Sequence, residues 1–182
     1  PIANIDLSQQ EEKAIRGYNF LSMKPILVVV NTDENQKFDL QRIRSNYKKS
    51  IALPLNAKLE AELTQLDDAD ADEFMEALGI QEPARYLVIT SSYALLGLIS
   101  FFTVGEDEVR AWTIREGTSA VEAGGVIHSD IQRGFIRAEV VSFSDFDRAG
   151  GMVAAKKQGL VRIEGKEYTL KDGDISHFLF NV

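Results

Sequence analysis

The chain has 182 residues, no cysteine, two histidines and a formal net charge of −8 at pH 7. Disulfides and thiolate chemistry are therefore excluded, and a zinc site would depend mainly on carboxylates. The length allows one substantial domain or two small ones. The excess of acidic residues argues against a protein that coats nucleic acid, although it leaves room for a local patch of basic residues.

The first elements along the chain predict a βαβ unit. Ser8 followed by Glu11 fits a capping box at the start of a helix. The apolar runs at residues 26–30 and 51–55 are typical of parallel strands covered on both faces. Between them, the helical spacing of apolar residues at 38–49 predicts an amphipathic helix, which would form a right-handed crossover.

More helices are predicted before the middle of the chain. One begins near Ala57, a short one spans residues 71–78 and ends at Gly79 as a C-cap, and a connecting helix covers 83–96. The absence of charge from residues 86–104 would also fit a membrane span. Because hydroxyl residues and a glycine interrupt it, we expect a buried helix that passes into a strand, and no membrane partner.

The second half of the chain has strand-like patterns on either side of one short helical pattern. Strands are predicted at residues 99–104, 109–114 and 135–141, with a helix at 118–123. In the third strand, alternation predicts one buried face and one exposed face. The residues predicted to share the buried face are Ile136, Ala138 and Val140, and those predicted on the exposed face are Arg137 and Glu139.

Two more short strands are predicted near the end of the chain. Val161 and Ile163 alternate with charged residues, as do Tyr168 and Leu170, and the Asp-Gly pair at 172–173 predicts a turn. Strands that wrap around a single helix form a β-grasp. This arrangement is therefore the predicted architecture of the second half.

Two long segments carry a resemblance to a known family. They are FFTVGEDEVRAWTIREGTSAVEAGGVIHSDIQRGFIRAEVV at residues 101–141 and AAKKQGLVRIEGKEYTLKDGDISHFLFNV at 154–182. Both resemble the TGS domain that ends the YchF / Obg-like ATPases, which are P-loop NTPases of the Obg-related group. The resemblance implies an α+β chain with a C-terminal β-grasp (ubiquitin-like) TGS domain at 97–182. Residues 1–80 would be a partial α/β P-loop NTPase remnant, and 81–96 a connecting helix.

The sequence Asn31-Thr32-Asp33-Glu34 follows the first apolar strand. Taken alone it is a polar turn, but it is similar to the Asn-x-x-Glu of this family, which replaces the guanine-binding Asn-Lys-x-Asp of GTPases. The resemblance implies that Asn31 holds the loop and reaches the base. It also implies that Thr32 contacts adenine through its backbone and that Glu34 occupies the acidic position.

A second base-contacting loop is implied at Asn56-Ala57-Lys58. The family more often has Ser or Cys before Ala-Lys, so Asn56 is a departure, and the implied contacts rest on Ala57 and Lys58. The sequence contains no G-x-x-x-x-G-K-[ST] to hold β- and γ-phosphates. Hydrolysis is therefore not expected of this chain alone, and ATP or GTP with Mg²⁺ would belong to a full-length relative.

Basic residues recur through the second half and are candidates for phosphate contacts. We expect contact with the ribosome, ribosomal RNA or a ligand, and no DNA. The residues proposed for it are His128, Arg133, Arg137, Lys156 and Lys157. A solvated surface of mixed charge explains the basic residues equally well, and local hydrogen bonding would explain His128. The segment at 150–157 is predicted to be mobile and to order on a partner.

Three hypotheses about function follow from these patterns. The first is a cytoplasmic C-terminal fragment of a YchF-like ATPase linked to translation and stress response, with a ribosome-facing TGS domain and a partial adenine site. The second is a self-contained regulatory β-grasp module that binds a protein or a small ligand. The third is a hydrolase that uses His128 with Asp130 as an acid/base pair.

Overall fold

The computed structural model describes residues 2–33, 39, 49–105 and 107–181. It divides into two compact units, Pro1–Leu96 and Gly97–Val182. The predicted helix at 38–49 lies outside the described residues, apart from residues 39 and 49. Among the residues described, no helix is long and apolar enough to cross a membrane.

Within its described residues, the first unit contains one pair of strands and four α-helices. Strands β1 (Ile26–Asn31) and β2 (Ser50–Leu55) are parallel, with Ile26 opposite Ser50 and Asn31 opposite Leu55. This pairing brings the carboxyl ends of both strands to one edge. The helices are α1 (Gln9–Ile15), α2 (Ala57–Leu63), α3 (Asp68–Leu78) and α4 (Ala84–Leu96), and short 3-10 turns lie at Ile2–Asn4, Arg16–Tyr18 and Leu21–Met23.

Capping residues set the ends of these helices. Ser8 and Glu11 form the predicted capping box at the start of α1. The predicted start of α3 is wrong by three residues, because the Asp67 side chain accepts a hydrogen bond from the Asp70 N–H and begins the helix at Asp68. Helix α3 ends where predicted, at Gly79, whose φ of 68° lies in the left-handed region.

The second unit is a five-stranded mixed sheet with helices on both faces. The strands are β3 (Leu98–Val104), β4 (Val109–Arg115), β5 (Phe135–Ser142), β6 (Arg162–Glu164) and β7 (Asp174–Phe180). They lie in the order β4-β3-β7-β5-β6, with β3 and β7 parallel and the other neighbours antiparallel. The whole chain is therefore of the mixed α/β class.

The main core lies between one face of this sheet and a pair of helices, α5 (Ala120–Ile127) and α6 (Ser129–Arg133). We call this the α5 face. Phe101, Ala138, Val140 and Phe178 are buried there. Ser119 and Glu122 start α5 with a second capping box, which explains why a short apolar segment forms a helix at this point.

The opposite side, which we call the α7 face, carries two helices that were not predicted. Helices α7 (Phe143–Ala149) and α8 (Met152–Lys157) pack over Val141 and Ile175. The prediction of a mobile segment at 150–157 is therefore wrong in this structure, since Ala155 of α8 is fully buried. The expectation of a single helix against the sheet is also wrong.

Two predictions about strands in this unit need correction. Ile136 is 56% exposed, because a bulge between Phe135 and Arg137 shifts the register and leaves Phe135 in the core instead. The strand predicted at Tyr168 and Leu170 does not form. In its place, an isolated β-bridge joins Thr169 to Ser119. Leu170 is nevertheless buried in the core on the α5 face.

Candidate functional site

The two loops implicated by the sequence meet at the carboxyl ends of β1 and β2. The Asn31 Oδ1 accepts a hydrogen bond from the Ala57 N–H at 3.0 Å, so this side chain ties the two loops together. The Thr32 N–H donates to the Leu55 carbonyl at 2.9 Å and continues the ladder by one bond. In doubly wound α/β folds, ligands bind outside the carboxyl ends of parallel strands.

Asn56 starts α2. Its Oδ1 accepts hydrogen bonds from the N–H groups of Lys58 and Leu59, both at 3.1 Å. Asparagine is among the best N-cap residues, so this departure from the family pattern has a structural role. The Lys58 ammonium is exposed, and its Nζ lies 3.9 Å from a Glu62 carboxylate oxygen one helical turn away.

A cleft of about 610 Å³ lies beside these loops within the first unit. Thr32 and Asn56 line it on the loop side, and Leu59, Ile80 and Leu87 give it an apolar wall. Apolar walls with a few polar groups are typical of sites for planar organic ligands. The residues present therefore fit a nucleobase better than a triphosphate.

The structure places the nucleotide candidates unequally around this cleft. Of these residues, Thr32 lines the cleft, whereas Asn31, Ala57 and Lys58 do not. The Ala57 N–H is already donated to Asn31, so a base acceptor would have to share it. Glu34 lies outside the described residues. Binding of a nucleobase by these residues stays a prediction.

The basic candidates of the second unit fall on two opposite faces of the sheet. His128 and Arg133 belong to the helix pair of the α5 face. Arg137 shares its side of β5 with Glu139, whose carboxylate pairs with Lys156 of α8 at 2.6 Å, so these residues lie on the α7 face. The five candidates therefore do not form one continuous cluster.

Of the five basic candidates, the two with the fewest constraints lie on the α7 face. Arg137 and Lys157 are exposed and form no ion pair with any residue that the structure describes. Lys156, by contrast, is held by a Glu139 side chain that is only 16% exposed. Phosphate binding by Lys156 would require this pair to open. The sequence could not distinguish these lysines, because the pairing depends on the packing of α8.

His128 caps the start of α6, and Asp130 lies in the first turn of that helix. The Asp130 N–H donates to the His128 Nδ1 at 3.2 Å, and the Asp130 carboxylate accepts from Arg133 at 2.8 Å. His128 therefore hydrogen-bonds locally through Nδ1, as the simpler interpretation of the sequence predicted. Among the described residues, no group of three or more His, Asp or Glu side chains could hold a metal ion.

A polar network that the sequence analysis missed surrounds Asp174, which is 2% exposed. Its carboxylate accepts hydrogen bonds from the Tyr168 hydroxyl at 2.8 Å and from the Lys171 N–H at 2.9 Å. Arg162 in turn donates to the Tyr168 oxygen at 2.9 Å. Burial and the hydrogen bond to Asp174 raise the pKa of Tyr168 to about 12. No sequence spacing marks this network, which holds the segment after β6 against the sheet.

Comparison with known proteins identifies the family. The model YchF-GTPase_C, described as a protein of unknown function (DUF933), matches residues 98–181. The ribosome-binding ATPase YchF of Pasteurella multocida (strain Pm70) is 44% identical over 187 residues, and the alignment covers 100% of this chain and 51% of that protein. Its namesake from Escherichia coli O157:H7 is 45% identical over 183 residues, which cover 98% and 50%. The chain belongs to the YchF family.

A solved structure agrees with this assignment. The Schizosaccharomyces pombe YchF GTPase superposes with a TM-score of 0.79 at 32% identity, and the match covers 98% of this chain and 50% of that one. The chain thus corresponds to a C-terminal part of YchF and spans about half the length of the curated relatives it matches. The resemblance noted in the sequence is confirmed at the level of the family.

Proposed function

We propose that residues 97–182 are a TGS β-grasp module that binds the ribosome through ribosomal RNA, as part of a cytoplasmic YchF-like ATPase linked to translation and stress response. The match runs along nearly the whole of this chain and about half of each relative, and these relatives are named ribosome-binding ATPases, which supports this proposal. The exposed Arg137 and Lys157 on the second unit supply the chemistry. Arginine and lysine contact phosphates without reading base sequence.

A local basic patch can act despite the overall negative charge, because salt screens charges more than about 10 Å away at 0.1 M ionic strength. Each phosphate contact releases counterions, so binding should weaken steeply as salt rises. Arg137 and Lys157 are better donors than Lys156, since neither has to leave an ion pair first.

Co-sedimentation of the chain with ribosomes, at low and at moderate salt, tests this module. We expect saturable, salt-sensitive binding and a loss of roughly tenfold or more in affinity for the double variant Arg137→Glu, Lys157→Glu. The matched control is Lys166→Glu, Lys171→Glu. It makes the same change of charge at two other exposed lysines that form no ion pair with a described residue.

Equal losses in the two double variants would contradict an assignment to these residues, because a net-charge effect alone would explain them. Absence of binding by the parent chain at both salts would contradict ribosome binding by this unit alone. It would favour the regulatory module that binds a protein or a small ligand.

We propose further that the cleft beside β1 and β2 is part of an adenine site, with Asn31 holding its two loops together. In a full-length relative, a P-loop would hold the phosphates of ATP together with Mg²⁺, and the sequence of this chain contains no P-loop. We therefore expect isothermal titration calorimetry to give a dissociation constant for ATP of about 1 mM or larger. Micromolar binding of ATP by the chain alone would contradict this expectation.

A further inference from the structure

A second cleft, of about 390 Å³, lies entirely within residues 97–182. It opens beside β3 and β7, which are paired at a single position, Phe102 opposite Ile175. Trp112 of β4 forms one wall, Ile127 and Ile131 of the helix pair form another, and Asp107 and Glu108 border the cleft. Because it belongs to the second unit, it is separate from the proposed adenine site.

Ser176 on β7 gives the first indication of a ligand. Its side chain is 1% exposed, and its Oγ is the one buried side-chain nitrogen or oxygen atom of the described residues that has no hydrogen-bond partner. Ser176 lies opposite Val140, which places it on the α5 face, where the cleft also lies. Buried hydroxyls are normally hydrogen-bonded to protein or to ordered water, so the expected partner is a water molecule or a ligand in the cleft.

Trp112, which forms one wall of the cleft, already has two partners within the chain. Thr103 accepts a hydrogen bond from the Trp112 indole N–H at 3.0 Å, so the indole N–H is already used. The Arg110 guanidinium lies 4.2 Å from the centroid of the same ring. This contact shows that Trp112 already interacts with one cation through its π system.

Two carboxylates lie at the border of the cleft. Asp107 and Glu108 are exposed, line the cleft, and form no ion pair with a residue that the structure describes. A phosphate or carboxylate ligand would be repelled by them. A ligand rich in N–H donors and carrying positive charge would satisfy both these carboxylates and the Ser176 hydroxyl oxygen.

We propose that this cleft binds a small organic amine, with an ammonium or guanidinium group on a short apolar stem. The cationic group donates to Ser176 Oγ and pairs with Asp107 and Glu108. The stem packs against Ile127 and Ile131. The proposal rests on the second unit alone and is independent of ribosome binding and of the adenine site.

The test is a titration of the full chain with 1,4-diaminobutane, followed by the fluorescence of Trp112, the only tryptophan in the chain. The matched neutral probe is 1,4-butanediol, which has the same stem without charge. We expect a saturable change with the diamine and none with the diol. The double variant Asp107→Asn, Glu108→Gln should bind about five- to tenfold more weakly, and added salt should also weaken binding.

Ser176→Ala should reduce the affinity as well, with the far-ultraviolet circular dichroism of the native fold retained, because it removes only an unpartnered hydroxyl. Glu116→Gln, Glu167→Gln is the matched control for the loss of two exposed carboxylates and should leave the affinity unchanged. An equal response to the diol, no saturation by the diamine, or equal losses in the two double variants would overturn the proposal. A response to a lysine-containing peptide alone would overturn the assignment to a small free amine.

Discussion

Replacing Gly134 with alanine is expected to lower the free energy of unfolding of residues 97–182 by about 3 kcal/mol. Gly134 lies between α6 and β5, and its carbonyl accepts a hydrogen bond from the Asn181 N–H at 2.9 Å. The backbone of the chain end passes so close that an added Cβ would lie only 2.1 Å from the Asn181 carbonyl oxygen. Backbone atoms cannot rotate away as a side chain can, so the end of β7 would have to move.

Urea unfolding monitored by Trp112 fluorescence measures this loss, since the only tryptophan reports on the unit that contains Gly134. The control is Gly165→Ala, because a Cβ at Gly165 would meet nothing within 4 Å. That control should change the unfolding free energy by no more than about 0.5 kcal/mol. Similar stabilities for the two variants would show that β7 can move away from Gly134 without cost.

Replacing Phe101 with alanine should be more damaging, with a loss of about 3 to 5 kcal/mol. The Phe101 side chain is 0% exposed at the centre of the main core. Its ring packs edge-to-face on Phe178, with centroids 5.9 Å apart. The substitution removes this contact and leaves a cavity between the sheet and α5, which the surrounding backbone can fill only in part.

Phe143→Ala makes the same chemical change on the α7 face and serves as the control. Its ring is 57% exposed, so we expect a loss of about 1 kcal/mol. Unfolding followed by both circular dichroism and fluorescence would compare the two variants. A cost at Phe143 equal to that at Phe101 would contradict the placement of the main core on the α5 face.

Much of the secondary structure could be predicted because its signals are local. The capping box at Ser8, the C-cap at Gly79 and the apolar runs of β1 and β2 each act within a few residues. Helices α7 and α8 were missed although Ser142 and Gly150 give α7 local capping signals, because the two helices have only seven and six residues and are stabilised mainly by packing over Val141 and Ile175. The bulge before Arg137 was missed for a similar reason, because the pairing with β7 determines the register.

The candidate sites show the same limit. The sequence identified the loops at Asn31 and Asn56, but not the hydrogen bond from the Ala57 N–H that joins them. It placed five basic residues in one group, and the structure divides them between two faces of a sheet. Lys156 pairs with Glu139, whereas Lys157 forms no ion pair with a described residue. This difference depends on the packing of α8, which no spacing in the sequence reveals.

The sequence by itself determined the family, the ends of several helices and the polar loops after the strands, because residue type and short-range spacing carry that information. Only the tertiary structure decided the order of the strands, the unpartnered hydroxyl of Ser176 and the cleft beside Trp112. These features depend on the pairing of β3 with β7, which lie far apart in the chain. Contacts of that kind arise from the burial of a shared core, and a linear pattern of residues does not specify them.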